Sequence, residues 1–359
     1  MKIAIVIISE QFAGAESVVK ELADQLTKHN EITLICNSDL QKYYANLKGL
    51  RLIVLPYSLR KVNVAKRLII YMRCALYLRR HFALHSYEIV SLHLLSSILA
   101  YRIAGFVRKT CTVITLHGGE IRQFKDNKSL SYKLLIRPVL KSALEHAAKL
   151  TTISDWQVES LDINLKKKTV KIPNGVNTKL FNLSGSMSRA PTVLFVGRMI
   201  EIKGIRETLD AAKKLPDVKF LFVGQGGLSN EISGSNVEYL GFMDQKELPA
   251  LYRRSTVCIF PSYREAFALV GLEAMACGRP IICTPKGFSE YAVDGENSLI
   301  IKPRSAIALK EAIEKILSNK VLYERLCKNA RQTALQYDWV QVAERYQKVF
   351  AEVSKSKEQ

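Results

Sequence analysis

A chain of 359 residues, 48% of them hydrophobic, is long for one core and comfortable for two. Its 53 lysines and arginines against 33 acidic residues leave a formal charge of +20, which suits an anionic partner: nucleic acid, a phosphorylated small molecule or an acidic membrane surface. Seven cysteines with no C-x-x-C, and no Cys/His cluster at metal spacing, exclude a disulfide framework and a zinc module and point to a reduced, cytoplasmic setting.

The opening "MKIAIVIISE" has one lysine before a short apolar run and no small-residue cleavage site, so it reads as a first β-strand and not as a secretion signal. The runs "IAIVII", "ITLIC", "LIVLP", "IVSLHL", "TVITLHG" and "KLTTIS" follow as strands, with helical stretches such as "AESVVKELADQLTKH" and "YKLLIRPVLKSALEHAA" between them. Residues 57–87 carry Arg60, Lys61, Lys66, Arg67, Arg73, Arg79 and Arg80 and no acid, interleaved with Leu, Ile, Tyr and Phe. That pattern fits a helix lying on an anionic membrane, and also one packed on its own sheet with a solvated basic face. The stretch 89–107 is long and apolar enough to raise a membrane span. It contains His93, Arg102 and three serines, which favours a buried strand followed by a helix from about Ser96.

Alternation of strand and helix implies a parallel sheet covered on both faces, here over residues 1–173. From 174 to 190 the periodicity gives way to Pro, Gly, Asn and Ser, which reads as a turn and linker. Over 191–337 the alternation restarts. "TVLFVGR", "KFLFVGQGG", "VEYLGF", "VCIFPS", "PIICTP" and "SLIIKP" are strands; "GIRETLDAAKKL", "KELPALYRRS", "FALVGLEAMACG" and "AIALKEAIEKILSN" are helices. The fold class is therefore α/β: two Rossmann-like, doubly wound domains in tandem, with a ligand expected in a cleft at the carboxyl ends of their strands.

The stretch "FPSYREAFALVGLEAMACGRP" holds two carboxylates, Glu265 and Glu273, eight positions apart in apolar surroundings. With a helix starting near Phe267 and stopping at Gly278, Glu265 falls just outside it and Glu273 in its second turn. Eight helical positions give about 80° of net rotation and about 12 Å of rise, too far for a close pair acting on one atom. A retaining glycosidase, whose carboxyls stand ~5 Å apart, is thereby disfavoured. Two ends of one extended ligand fit better. The free amides from Phe267 through Ala268 and Leu269 to Val270 form an anion site between the acids, so that sugar, diphosphate and ribose would be met in turn. The plain alternative is a helix-dipole partner and a solvated face residue. "LFVGRMIEIKG" adds Gly197, Arg198 and Lys203 at a strand terminus, where Arg forks onto phosphate and Lys adds a point charge; an ordinary basic loop would look similar. "FVGQGG", with Gly224, either admits a base or ribose or simply turns, and lacks a full G-x-G-x-x-G.

The ordered set "AGAE" (13–16), "TLHGGE" (115–120), "IPNGVNTKLF" (172–181), "VGRMIEIKG" (196–204), "FVGQGG", "PSYREAFALVGLEAMACGRPII" (261–282) and "VDGENSLII" (293–301) resembles glycosyltransferase family four, the retaining enzymes of GT-B fold. The likeness spans nearly the whole chain, and E-x7-E with "EAMACG" is its most specific part. It implies Gly14 in the first strand–helix loop near the donor phosphates and Glu16 shaping the cleft. It puts His117 beside the transferred sugar; alone, His117 reads as a hydrogen-bonded strand-end histidine. Arg198 and Lys203 would clamp the diphosphate, Glu265 would contact sugar hydroxyls, the Phe267 to Leu269 amides would meet phosphate, and Glu273 would hold the ribose. The closing segment, 338–359, resembles the family's final helix, which crosses back onto the first domain. Ala13, Ala266 and Ala268 stand where the family favours glycine, each adding a methyl where backbone nears phosphate.

The implied activity is retaining transfer of a sugar from a nucleotide-diphosphate sugar to a glycan or lipid-linked acceptor, in polysaccharide or lipopolysaccharide synthesis. No cofactor is expected, and since no D-x-D is present, cations take the place of a metal. The implied location is the cytoplasmic face of the cell membrane, held peripherally through the basic 57–87 helix. No nucleic-acid recognition module is visible. A GT-B phosphorylase, a sugar-nucleotide epimerase and an inactive binding protein of the same fold are the alternatives.

Overall fold

The computed structural model describes residues 1–105, 111–121, 127, 129, 132–185 and 190–355; the side chains of Val64 and Ala65 are not described. The end of the apolar stretch (106–107), part of the expected linker (186–189) and the last residues (356–359) lie outside these. The chain divides into two compact units, Met1–Pro173 with Trp339–Gln359, and Asn174–Asp338.

The first unit is a seven-stranded parallel sheet. Its strands are β1 (Lys2–Ile7), β2 (Glu31–Asn37), β3 (Leu50–Leu55), β4 (Ile89–His93), β5 (Thr112–Leu116), β6 (Lys149–Thr152) and β7 (Thr169–Lys171), in spatial order β3-β2-β1-β4-β5-β6-β7. Ile3 to Ile7 are all buried, as a parallel strand covered on both faces requires. The six strands expected from apolar runs are present. β7 has no such run: it is a three-residue edge strand, half-buried to exposed, inside what the sequence presents as the approach to a turn.

The helix Gly14–Leu26 buries Val18, Val19, Leu22, Ala23 and Leu26, one stripe at helical spacing. Against it packs the final helix, Trp339–Lys355, burying Trp339, Val342, Ala343, Tyr346, Val349, Phe350 and Val353. At about 1.5–3 kcal/mol for each fully buried large side chain, this apolar face is ample to return the C-terminal segment to the first unit. The apolar stretch from Ile89 resolves into β4 and a helix, Leu95–Ile103, and no helix among the described residues is long and apolar enough to cross a membrane.

The second unit has six parallel strands: β8 (Thr192–Val196), β9 (Lys219–Val223), β10 (Val237–Tyr239), β11 (Val257–Phe260), β12 (Ile281–Cys283) and β13 (Ser298–Ile300), ordered β10-β9-β8-β11-β12-β13. Residues 174–181 of the expected linker are packed into this unit. Val176 and Phe181 are buried, and the Val176 N–H donates to the Tyr337 carbonyl at 2.8 Å. Composition alone hid these two apolar anchors among turn residues.

Candidate active site

In an open parallel sheet the ligand crevice forms where the strand order reverses. In the second unit that point lies between β8 and β11, and the loops leaving these two strands carry the predicted cations and carboxylate. The loops are stitched together: the Tyr263 N–H donates to the Ile202 carbonyl at 2.8 Å. Gly204 turns with φ +72°, and a Cβ there would stand 2.9 Å from the Pro261 ring, so only glycine allows the approach.

Across this crevice the Lys203 ammonium is ion-paired to Glu265 Oε1, with side chains only 15% and 16% exposed. Three elements hold the carboxylate. The Ser262 hydroxyl donates to Glu265 Oε1 at 3.3 Å, and the Thr284 hydroxyl donates to the Ser262 carbonyl at 2.5 Å. Gly287, at φ +87°, lies directly against Glu265, where an added Cβ would come within 3.0 Å of its backbone. Ser262, Thr284 and Gly287 went unnoticed in the sequence because their role depends on β12 lying beside β11. Arg198 is exposed, and its guanidinium has no hydrogen bond or ion pair among the described residues.

The helix begins at Leu269, later than the sequence pattern suggests, and ends at Ala276, before the expected stop at Gly278. The N–H of Ala268 is already used, donating to the Gly287 carbonyl at 3.0 Å. Phe267 is core, its ring 5.5 Å from that of Tyr291. The N–H groups of Phe267, Leu269 and Val270 have no partner among the described residues, so of the amides expected from Phe267 to Val270 only that of Ala268 is closed, and the two at the helix start stay open to an anion. The helical arithmetic for the two acids does not apply either, since residues 265–268 are not helical.

Glu273 sits in the second turn and is buried. Its two oxygens accept from Gln245 Nε2 and from the Tyr252 hydroxyl, each at 3.0 Å. Burial pushes its carboxyl above the usual range, while these two hydrogen bonds pull it back. Each oxygen keeps a second lone pair. Gly197 and Gly224 are brought together by the protein's own backbone: at Gly224, φ +131°, a Cβ would overlap the Gly197 carbonyl. Gly224 thus reads first as a packing necessity between the loops after β8 and β9.

In the first unit the order reverses between β1 and β4, where the Ile8 N–H donates to Ser97 Oγ at 2.8 Å. Gly14 opens the following helix and a Cβ there would meet open space; the Ala13 N–H donates to the buried Glu16 at 3.0 Å. His117 follows β5. Its Nε2 lies 3.1 Å from His93 Nδ1, and burial holds its imidazole down at about 4. The Glu120 carboxylate accepts from the His117 N–H at 3.0 Å, and burial pushes it up to about 7. His93 is a partner that sequence reading did not single out; the S-x-H spacing that precedes "TLHG" by one strand was the available signal.

Two doubly wound units, each with its polar loops at a switch point, and a C-terminal helix returned to the first unit define the GT-B class of glycosyltransferase folds. The chain belongs to glycosyltransferase family 4: residues 12–180 match the family described as Glycosyltransferase Family 4, and residues 177–333 match Glycosyl transferases group 1. It is 32% identical over 206 residues to the N,N'-diacetylbacillosaminyl-diphospho-undecaprenol alpha-1,3-N-acetylgalactosaminyltransferase of Campylobacter jejuni, covering 55% of this chain and 54% of that one. It is 30% identical over 238 residues to the phosphatidyl-myo-inositol mannosyltransferase of Mycobacterium leprae, covering 62% and 63%. These matches therefore span less than two thirds of either relative. The sucrose-phosphate synthase of Thermosynechococcus elongatus shares the fold, with a TM-score of 0.82 over 99% of each chain at 23% identity.

Proposed function

We propose that this protein transfers a sugar, with retention, from a nucleotide-diphosphate sugar to a lipid-linked or envelope-polysaccharide acceptor. What carries the donor half is the β8/β11 crevice: a nearly buried Lys203–Glu265 pair, the exposed Arg198 and two unpartnered amides at Leu269 and Val270. A diphosphate entering there meets cations and N–H donors already in place, and the charge that develops as the glycosidic bond loosens is stabilised where it appears. Glu265 accepts from sugar hydroxyls, and Glu273 offers its remaining lone pairs to the ribose. Same-face attack, with the leaving phosphate taking the acceptor's proton, needs no protein nucleophile.

The acceptor half rests on the lipid substrates in the names of the two relatives, and on one surface of the first unit. The helix Val64–Leu84 buries Tyr71, Cys74, Ala75 and Leu78 in the first unit's core, against the helix Leu95–Ile103, yet leaves Leu68, Ile69, Met72 and Leu76 exposed on another face. Arg60 and Arg67 pair with Asp39 and Glu10, whereas Lys66, Arg73, Arg79 and Arg80 are exposed and have no ion pair among the described residues. Apolar residues flanked by unpaired cations suit an anionic bilayer surface. A panel of nucleotide sugars scored by nucleotide release, with lipid-phosphate acceptors present and products isolated, tests the proposal. Release that depends on acceptor and yields a glycosylated product is expected. Acceptor-independent epimerisation, or sugar 1-phosphate formation from a glycan, would replace it.

A further inference from the structure

Side chains two apart on a strand share a face, and paired residues of neighbouring parallel strands point the same way. Ser91 and His93 therefore share one face of β4. His93 pairs with Thr115 of β5, and His117 is two residues further along that face. The consequence is a buried row. Ser91 Oγ lies 3.0 Å from His93 Nε2, and His93 Nδ1 lies 3.1 Å from His117 Nε2. At the far end His117 Nδ1 is buried with no hydrogen-bond partner among the described residues.

Each contact in the row needs one donor and one acceptor, so a single choice fixes all of them. In one arrangement the Ser91 hydroxyl donates to His93, His93 Nδ1–H donates to His117, and His117 is left with an N–H at Nδ1 pointing at nothing. In the other, His117 Nε2–H donates to His93 Nδ1, His93 Nε2–H donates to Ser91 Oγ, and His117 Nδ1 is bare. The spare donor then sits on the Ser91 hydroxyl, which rotates, and not on a ring nitrogen, which cannot. An orphaned buried N–H is rarer and costlier than an under-used acceptor. Burial depresses both imidazoles, so neither ring escapes the choice by becoming charged.

We propose that Ser91 and His93 are positioning residues that hold His117 as a neutral Nε2–H tautomer, with its Nδ1 lone pair as an acceptor at the carboxyl end of β5. That end of the sheet is where a doubly wound fold meets its ligands. The chemistry His117 offers there is acceptance of a hydroxyl or N–H hydrogen bond, and not proton donation by an imidazolium. This stands apart from the proposed transfer: a chain that moved no sugar would still show it.

The test is two-bond proton–nitrogen correlation NMR on the full chain labelled at the histidine rings, of which there are only six. Single exchanges of His29, His81, His85 and His146 to Gln leave the two signals of interest assigned by elimination. In the wild-type chain both rings should be neutral from pH 6 to 8, protonated at Nε2 and bare at Nδ1. Ser91→Ala removes the terminal acceptor, which brings the two arrangements closer in energy. Both rings should then move together toward averaged nitrogen shifts, and Ser91→Thr, which keeps the hydroxyl, should restore the wild-type pattern. Protonation of wild-type His117 at Nδ1, or a Ser91→Ala spectrum in which only His93 moves, overturns the proposal. Should Ser91→Ala melt too low for spectra, the wild-type tautomer decides alone.

Discussion

Lys203→Ala separates what the crevice does for catalysis from what it does for stability. In the folded protein the ammonium is about five-sixths covered and paired with Glu265. A unit charge near 4 Å from a developing anion, at the effective dielectric of a partly buried site, contributes about 4 kcal/mol before compensation. Arg198 and the amides of Leu269 and Val270 remain in the variant and take up part of that. A net loss near 2.7 kcal/mol, about a hundredfold in turnover, is therefore expected. Turnover should fall more than donor affinity, because the leaving diphosphate carries more charge in the transition state than in the bound donor.

The same change strands Glu265 as an unpaired, nearly buried carboxylate held only by Ser262, at a cost of about 1–3 kcal/mol, less than for a fully buried pair because some solvent reaches it. Lys203→Ala with Glu265→Gln should recover much of that stability and none of the activity. The assay is initial nucleotide release against donor concentration, with a melting curve for each variant. A folded Lys203→Ala protein within fivefold of wild-type turnover would refute the assignment of this cation to the leaving group.

Glu273→Gln keeps the shape and should raise the KM for donor at least tenfold with turnover nearly unchanged, since ribose does not alter in the transition state; an equal fall in both constants would move Glu273 into the chemistry. Transfer should persist in excess chelator, the cations at Arg198 and Lys203 serving the diphosphate; inhibition reversed by magnesium would count against this. Sedimentation with anionic vesicles should weaken with salt and by at least about thirtyfold in Arg79→Glu/Arg80→Glu, at about 1 kcal/mol per cation removed, and a chain that ignored such vesicles at low salt would need a soluble acceptor. Glu120 is raised from 4.5 to about 7 on folding, so the native state binds its proton more tightly than the unfolded chain and stability declines as pH rises between those values. Glu120→Gln should remove up to about 3 kcal/mol of that decline, read by denaturant unfolding at pH 5 and 8; parallel pH dependence in the two proteins would show that the carboxyl is not strained by burial.

The sheets were legible because buried parallel strands leave apolar runs; twelve of the thirteen strands fall in stretches readable that way, β10 through the residues around its mostly exposed Val237–Tyr239 and not through its own burial. β7 did not, being short and at an edge. Glu265 and Glu273 stood out as charges in apolar sequence, but the start of the helix between them did not, because Phe267 and Ala268 fit a helical pattern as well as a core strap. Their actual state is set by Gly287 and Tyr291, some twenty residues on: Gly287 accepts the Ala268 N–H and the Tyr291 hydroxyl donates to the Ala268 carbonyl at 2.5 Å. Contacts of that range leave no local periodicity. For the same reason the S-x-H spacing placed His93 on a strand face without showing that His117 lies beside it.

The two units use one architecture with opposite electrostatic content. At the switch point of the second unit the loops supply Arg198, Lys203 and open amides, so a bound anion replaces water that the cations would otherwise need. In the first unit the corresponding strand ends carry a neutral histidine and two buried carboxyl groups, Glu16 and Glu120, each occupied by backbone N–H groups. None of these three groups is a cation, and the histidine can address hydroxyls. Because both sheets are parallel and covered on both faces, neither can vary its core without loss, and the difference lies entirely in loops at strand ends. The excess of positive charge that composition reveals is thus divided by location. Its inward part, Arg198 and Lys203, suits a diphosphate. Its outward part, Lys66, Arg73, Arg79 and Arg80, lies on a helix that also exposes apolar side chains, the combination that the proposed docking on an anionic bilayer would use.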